Sequence, residues 1–241
     1  MPNYRPLLPN IFTVANIACG FSALVAAAGG EPTKAAWLIL LAGLMDAFDG
    51  KVARLAGGSS DMGKEFDSLA DFCSFGLAPA FLIDSLNLAL FGKWNWIIGL
   101  VYIVASGYRL ARFNLLATSD EKKDFLGLPV PFAAVTLASY IIFCYDIWGG
   151  VIFDEYTVAM MIILAGLMVS QVEYYALPDN FYTRENWLKL LYIFLLALAL
   201  IFEPRLLLFP LFVAYIIYGM VREVSRMLKT AASHNSRHQP D

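Results

Sequence analysis

Two pairs of acidic residues lie in segments that are otherwise strongly apolar. Asp46 and Asp49 fall in the segment AAWLILLAGLMDAFDGKVARL, and Asp67 and Asp71 follow in GKEFDSLADFCSFGLAPAF. Spacings of three and four residues place both members of a pair on one face of a helix. A charge inside a membrane-spanning helix is costly and is usually functional. These four carboxylates are therefore the first candidates for chemistry.

The four carboxylates are expected to converge at a short turn between two helices. Like charges repel strongly in a low dielectric, and hard oxygen ligands favour Mg²⁺, Mn²⁺ or Ca²⁺. The pattern predicts two bridged divalent ions, Mg²⁺ or Mn²⁺, with Ca²⁺ as a non-productive occupant. Such a pair of ions stabilises phosphoryl oxygens during displacement at phosphorus. Spacing alone leaves open which carboxylate bridges the ions.

Small residues and one cation accompany the acids. Gly50, Ala53 and Gly63 leave space for a bulky ligand or permit sharp turns. Arg54 supplies a fixed positive charge whose planar fork can hold a phosphate. Metals, a cation and a gap lined by small residues together suit a diphosphate substrate.

The elements that must position these residues are membrane helices. The chain has 241 residues, of which 59% are hydrophobic and only 15% are charged, which is too apolar for a soluble domain. A bilayer core of about 30 Å requires about 20 apolar residues per helix. We therefore predict an all-α integral membrane protein, a polytopic bundle of about eight transmembrane helices near residues 8–28, 35–56, 66–91, 94–116, 127–148, 151–175, 187–203 and 205–228.

The distribution of basic residues predicts the orientation of the bundle. With eight spans and a cytoplasmic N-terminus, only Lys34, Lys93 and Arg205 of the 17 Lys and Arg residues fall in outer loops. Cytoplasmic loops carry the excess of Lys and Arg in membrane proteins. Both termini are therefore expected in the cytoplasm, and all four acids in the inner half of the bilayer. The protein is expected in the cytoplasmic membrane with its active site facing the cytoplasm.

The chain is expected to form a single membrane domain over residues 1–241. Residues 1–175 form the catalytic helix core, residues 176–230 contribute two further helices, and residues 231–241 form a polar tail. The formal net charge of −3 argues against nucleic acid, which requires a basic face.

Cysteine and histidine offer no obvious chemistry in the body of the chain. Cys19, Cys73 and Cys144 lie far apart in apolar segments, so we interpret them as packing residues. Both histidines, His234 and His238, fall in the C-terminal tail. Histidine general-base catalysis in the membrane domain is therefore not expected.

The acidic segments together resemble the signature of the CDP-alcohol phosphatidyltransferase family. Eight positions over 26 residues carry this resemblance, in the string Asp46-x2-Asp49-Gly50-x2-Ala53-Arg54-x8-Gly63-x3-Asp67-x3-Asp71. The segments PNIFTVANIACGFSAL, GKEFDSLADFCSFGLAPA, YRLARFN and GLPVP further resemble the phosphatidylserine synthase branch of the family. The similarity extends across about the first 131 residues.

The resemblance implies a function and a role for each motif residue. Its members are membrane enzymes that displace CMP from a CDP-activated lipid or alcohol. The four aspartates would hold two divalent ions that clamp the diphosphate of CDP-diacylglycerol, and Asp71 would also accept the proton of the acceptor hydroxyl. The CMP portion would be lined by Gly50, Ala53, Arg54 and Gly63. The resemblance also implies a homodimer.

Residues outside the signature are candidates for substrate contacts. Arg109 and Arg112 fall near the inner end of the fourth predicted helix, where a bidentate guanidinium could hold the carboxylate of L-serine and Asn114 could add a hydrogen bond. An ordinary arginine anchor at the lipid headgroups is the alternative. On the first helix, Asn10 and Thr13 form a polar stripe with Asn16. This stripe is a candidate for contact with the CDP group, with interhelical hydrogen bonding as an equally good explanation.

Two alternatives to serine transfer remain open from the sequence. Another acceptor, namely glycerol 3-phosphate, inositol phosphate or choline, would use the same signature. A cation transporter would also place acids in the membrane, but its acids are expected across the bilayer depth rather than in one half. The sequence does not distinguish an ester-linked from an ether-linked lipid donor.

Overall fold

The computed structural model describes residues 7–55, 61–86, 88, 94–117, 125–174, 191, 194–195, 197–198 and 201–235. These residues form a helical bundle with one short strand pair. The elements are α1 (Leu7–Ala28), α2 (Pro32–Leu55), α3 (Asp61–Asp71), a π-helical segment (Phe72–Leu77), α4 (Ala78–Ser85), α5 (Asn95–Ala117), β1 (Phe125–Leu126), α6 (Val130–Trp148), α7 (Asp154–Val169), β2 (Glu173–Tyr174) and α8 (Pro204–Asn235).

Within the described residues, five helical stretches are long and apolar enough to cross a membrane. They are Ile11–Ala28, Met62–Ser85, Asn95–Leu115, Val130–Trp148 and Pro204–Glu223. Large apolar side chains on their outer surfaces are exposed, including Phe21 at 61% and Val104 at 62%. Soluble proteins rarely expose so much contiguous apolar surface. The predicted helical, membrane-integral architecture is confirmed.

Two predicted spans, the third and the sixth, differ from the structure, and another is described only in part. The third predicted span, 66–91, begins earlier, at Asp61, and is interrupted by the π-helical segment. The sixth, 151–175, contains only the 16 residues of α7, about 24 Å of helix. The seventh, 187–203, is described only in part, and its described residues from 191 to 202 are helical.

Small side chains bring α1 and α2 close together. The two helices pack against each other and carry buried alanines, each at most 6% exposed: Ala23, Ala26, Ala27, Ala35, Ala36 and Ala42. Small residues allow helix backbones in a membrane to approach and gain van der Waals contact. This packing holds the acidic end of α2 against the polar face of α1.

The π-helical segment lies directly after Asp71 and packs against α1, α5 and α6. Its closest contact with α1 is at Gly20, where an added Cβ would lie 2.2 Å from the Ser74 Oγ atom and 2.7 Å from the Ser74 Cα atom. Only glycine fits at that position. π-helical turns are rare and occur frequently at functional sites.

The most buried helix, α6, has clear start and stop signals. Pro129 precedes it and Pro131 lies in its first turn, where proline costs no helical hydrogen bond. Gly149 ends it in a left-handed conformation, with φ 72°, and donates its N–H to the Tyr145 carbonyl at 3.1 Å. This is a common helix C-terminus. Helices α2 and α8 pack against α6.

A short strand pair joins the segment before α6 to the segment after α7. Phe125 pairs with Tyr174 and Leu126 with Glu173 in antiparallel register. Gly127 follows, with φ 82°, and an added Cβ there would lie 2.3 Å from the Met168 carbonyl oxygen. The GLPVP segment therefore requires glycine at its first position.

Candidate active site

Three carboxylates from two helices converge at one point. Asp46 comes from the C-terminal half of α2, and Asp67 and Asp71 come from adjacent turns of α3. One carboxylate oxygen from each lies within 4.8 Å of the others. At that separation each pair of ionised carboxylates repels by about 3 kcal/mol in a surrounding of effective dielectric about 20. The cluster therefore favours a cation.

The fourth predicted carboxylate lies beside this group rather than within it. Asp49 is 5% exposed and accepts a hydrogen bond from the Thr13 hydroxyl of α1. It still interacts electrostatically with Asp46 and Asp67. The structure therefore brings three of the four acids within 4.8 Å of one another and places the fourth at their edge.

Helix α1 also contacts the cluster through Asn16. This fully buried side chain donates from Nδ2 to the Asp71 Oδ1 atom at 3.1 Å. The Asn16 backbone carbonyl accepts a hydrogen bond from the Ser74 hydroxyl at 2.9 Å. One turn of α1 is thus bonded both to the last residue of α3 and to the π-helical segment.

Arg109 of α5 is buried beside the cluster. It is 5% exposed and interacts electrostatically with Asp71. Its guanidinium lies 5.1 Å from the centre of the Phe113 ring. Its Nε atom has no hydrogen-bond partner among the described residues. A buried donor without a partner is costly, so this group is suited to an anionic ligand.

Arg112 lies one turn further along α5 in different surroundings. Its guanidinium donates to the carbonyl oxygens of Met168, Val169 and Ser170 at 3.1–3.4 Å. A cation at a helix C-terminus also interacts favourably with the helix dipole. Arg112 therefore anchors α5 to the end of α7, a contact the sequence did not reveal, and its contact with serine stays a prediction.

Asn114 is bonded to a residue between two of the acids. Its amide donates to the Ser68 hydroxyl at 3.0 Å, and Ser68 follows Asp67 directly in α3. This hydrogen bond ties the end of α5 to the helix that carries Asp67 and Asp71. The predicted contact of Asn114 with an acceptor stays a prediction.

Other predicted contact residues are only partly described. The backbones of Asn10, Ala53 and Arg54 are helical, but their side chains lie outside the described part of the chain. Gly50 is exposed in the last two turns of α2, and an added Cβ would meet no described atom within 4 Å. Gly63 lies in the first turn of α3. The predicted contacts of these residues with CMP stay predictions.

Buried polar atoms at the site fit a cation and a charged ligand. Among the described residues, Asn16 Oδ1, Asp49 Oδ1 and Asp67 Oδ1 are buried acceptors without a hydrogen-bond partner. Carboxylate oxygens are the ligands that Mg²⁺ and Mn²⁺ prefer. The donor set therefore fits a divalent metal ion.

The hydrogen bond from Asn16 to Asp71, and the nearby bonds of Ser68 to Asn114 and of Ser74 to the Asn16 carbonyl, were not predicted from the sequence. The spacing of Asn16 from Thr13 indicated that both share one face of α1, and this was the available signal. The partners on α2, α3 and the π-helical segment became evident only from the packing of the helices.

Comparison with known proteins supports one family. The model of the family described as CDP-alcohol phosphatidyltransferase matches residues 6–216. A CDP-diacylglycerol–serine O-phosphatidyltransferase of Helicobacter pylori is 32% identical over 95% of this chain and 96% of its own length. A protein of the same name from Methanocaldococcus jannaschii is 35% identical over 78% of this chain and 83% of its own. An archaetidylserine synthase of Methanothermobacter thermautotrophicus is 36% identical over 69% of each chain.

Proposed function

Because the chain belongs to the CDP-alcohol phosphatidyltransferase family, we propose that it transfers the phosphatidyl group of CDP-diacylglycerol to the hydroxyl of L-serine and releases CMP. The names of the relatives at 32% and 35% identity support serine as the acceptor. The observation that carries the proposal is the convergence of Asp46, Asp67 and Asp71 within 4.8 Å. These are motif positions of the family signature.

The acidic cluster would hold two divalent ions, Mg²⁺ or Mn²⁺, with Asp46, Asp49, Asp67 and Asp71 as the protein ligands. When bound, the ions would neutralise the diphosphate and polarise its oxygens. Asp49 would contribute from the edge of the cluster, where Thr13 fixes one of its oxygens. Three carboxylates at this distance also need that positive charge to offset their mutual repulsion.

In the proposed reaction, Asp71 accepts the proton of the serine hydroxyl. The serine hydroxyl attacks phosphorus, the bond from phosphorus to the CMP oxygen breaks, and the hydroxyl proton passes to the Asp71 carboxylate. A general base must lie within hydrogen-bond reach of the proton that it accepts. Asp71 bonds to Asn16 and interacts electrostatically with Arg109, so an acceptor held by Arg109 would bind close to this carboxylate.

The substrates would approach the cluster from different helices. Gly50, Ala53, Arg54 and Gly63 border the turn between α2 and α3 and would line the CMP portion, with Asn10 and Thr13 on α1. The serine carboxylate would bind Arg109, whose Nε atom is a buried donor without a partner among the described residues. Arg112 and Asn114 would support this acceptor site by holding α5 to α7 and to α3.

We further propose the membrane arrangement that the charges predict. The bundle would have eight spans in the cytoplasmic membrane, with both termini and the acidic cluster on the cytoplasmic side. The chain would act as a homodimer among membrane lipids. The basic residues flanking the predicted spans support this orientation.

The decisive experiment measures CMP release from CDP-diacylglycerol by protein purified in detergent. We expect release that depends on both L-serine and Mn²⁺ or Mg²⁺ and that stops on chelation. Asp67→Asn, which keeps the side-chain volume, is expected to lower turnover more than about 100-fold. Asp84→Asn is the matched control, because Asp84 lies 13 residues after Asp71, about 20 Å along the helix.

Other results would replace the proposal. Release with glycerol 3-phosphate, inositol phosphate or choline but not with serine would keep the family and change the acceptor. Metal-dependent ion flux through vesicles without any CMP release would favour transport instead. Equal activity of Asp67→Asn and Asp84→Asn would show that the acidic cluster is not the reaction site.

A further inference from the structure

Asn16 is the residue of α1 with the most direct contact to the proposed general base. Its side chain is fully buried, and its Nδ2 atom donates to the Asp71 Oδ1 atom at 3.1 Å. Only the amide nitrogen can face a carboxylate favourably, because an amide oxygen there would repel it. The orientation of the Asn16 amide is therefore fixed by Asp71.

The backbone of Asn16 is fixed independently of its side chain. Its carbonyl accepts the Ser74 hydroxyl at 2.9 Å, and one turn later Gly20 lies against the same serine. Helix α1 is thus held to the π-helical segment at two successive turns. The backbone that carries the Asn16 amide is therefore held in place next to Asp71.

A hydrogen bond to one oxygen of a carboxylate fixes the rotation of the whole group. The orientation of Asp71 matters because this carboxylate interacts both with Asp46 and Asp67 and with Arg109. A freely rotating carboxylate could turn away from its acidic neighbours toward the arginine. The amide of Asn16 opposes that rotation.

We propose that Asn16 is a positioning residue that orients the Asp71 carboxylate toward Asp46 and Asp67. It acts through Asp71, in contrast to the direct CDP contact that the polar stripe of α1 suggested. The inference rests on the proposed function for its catalytic consequence. Its consequence for cation binding depends only on the acidic cluster.

The test compares Asn16→Leu with Thr157→Val. Asn16→Leu keeps the branched side-chain skeleton and removes the amide, whereas Thr157→Val removes a buried hydroxyl of α7 that pairs with the Tyr140 hydroxyl at 3.1 Å, away from the acidic cluster. Mn²⁺ binding to the purified protein is followed by electron paramagnetic resonance without lipid or serine, because free Mn²⁺ gives a signal that bound Mn²⁺ loses. Asn16→Ala is measured in parallel and replaces Asn16→Leu if that variant does not fold.

We expect Asn16→Leu to raise the Kd for Mn²⁺ by about 10- to 100-fold and to lower kcat by a similar factor, as is typical when a partner of a metal ligand is removed. Thr157→Val should leave both values within about 2-fold of the wild type. An unchanged Kd in Asn16→Leu, with or without a raised KM for CDP-diacylglycerol, would overturn the inference. Equal effects of both variants would also overturn it, because they would indicate packing alone.

These outcomes are separable from failure of the proposed function. Wild-type protein that binds Mn²⁺ but releases no CMP with serine would contradict the proposed reaction. The change of Kd between the wild type and Asn16→Leu would still decide the role of Asn16. Thermal unfolding of each variant shows whether the fold is retained.

Discussion

Arg109 and Arg112 lie one turn apart on α5, but their guanidinium groups have different surroundings. Arg109 is buried beside Asp71, and its Nε atom has no partner among the described residues. Arg112 donates to three carbonyl oxygens at the end of α7. Their spacing of three residues predicts that both lie on one face of α5. Their contacts nevertheless suit different roles, ligand binding for Arg109 and structural anchoring for Arg112. Arg109 is therefore the stronger candidate for the serine carboxylate.

These different roles predict different effects of substituting the two arginines. Arg109→Gln should raise the KM for serine by more than about 10-fold, since a charged hydrogen bond to the carboxylate contributes about 1.5–3 kcal/mol. The KM for CDP-diacylglycerol should change much less. Arg112→Ala should mainly destabilise the protein, by about 2 kcal/mol, through the loss of its contacts with α7. Steady-state kinetics with both substrates and thermal unfolding in detergent check the pair.

The reverse pattern would contradict this assignment. A selective rise in the serine KM for Arg112→Ala at unchanged stability would place the acceptor at Arg112. An equal rise in both KM values for Arg109→Gln would indicate general damage to the site.

At the scale of the elements, α1 positions the acidic cluster although it carries none of the acids. Thr13 bonds to Asp49 of α2, and Asn16 bonds to Asp71 of α3. Their spacing of three residues puts both on one face of α1. Gly20 continues that face and lets α1 approach the π-helical segment. The distance between α1 and this segment therefore controls the geometry of the site.

Gly20→Ala is expected to separate α1 from the π-helical segment. The added Cβ would lie 2.7 Å from the Ser74 Cα atom, so the backbone itself must move, at a cost of about 1–3 kcal/mol. Both the melting temperature and the rate of CMP release should fall, because Thr13 and Asn16 move with the helix. Thermal unfolding and CMP release measure the two effects.

The matched control is Gly166→Ala in α7, where an added Cβ meets no atom of the described residues within 4 Å. Its stability should stay the same or rise slightly, since alanine favours helix. Wild-type stability and activity in Gly20→Ala would refute tight coupling between α1 and the site.

The helices and the acidic residues could be predicted from the sequence because their signals are local. Apolar length predicts a membrane helix, and Asp46 and Asp49 stand out against leucine and alanine. The π-helical segment Phe72–Leu77 could not be predicted, since no local residue pattern marks it and its close contact with Gly20 is visible only in the packed helices. The partners of Thr13 and Asn16 likewise depend on which helices become neighbours. The local residue pattern thus predicted the candidate residues, whereas their hydrogen-bond partners depend on how the helices pack.

At the scale of the whole molecule, the polar groups are divided between the ends of the bundle. Asp146 in the last turn of α6 pairs with Arg205 at the start of α8, with 3.3 Å between the Asp146 Oδ1 and Arg205 Nη1 atoms. The acidic cluster lies toward the opposite end of the bundle, in the C-terminal half of α2 and in the last two turns of α3. The surface between these levels is largely apolar. This division predicts one orientation in the membrane.

The two ends of α7 offer a direct test of that orientation. Gly150 precedes the helix, and Gln171 follows it, so single cysteines at these positions are separated by about 24 Å of helix. In a background with Cys19, Cys73 and Cys144 replaced by alanine, a membrane-impermeant thiol reagent applied to intact cells should label Gly150→Cys and not Gln171→Cys. Opening the membrane should make Gln171→Cys reactive. The proposed site uses a cytoplasmic amino acid and must therefore face the cytoplasm. Labelling of Gln171→Cys alone in intact cells would indicate the reverse orientation of the bundle and would contradict a cytoplasmic active site.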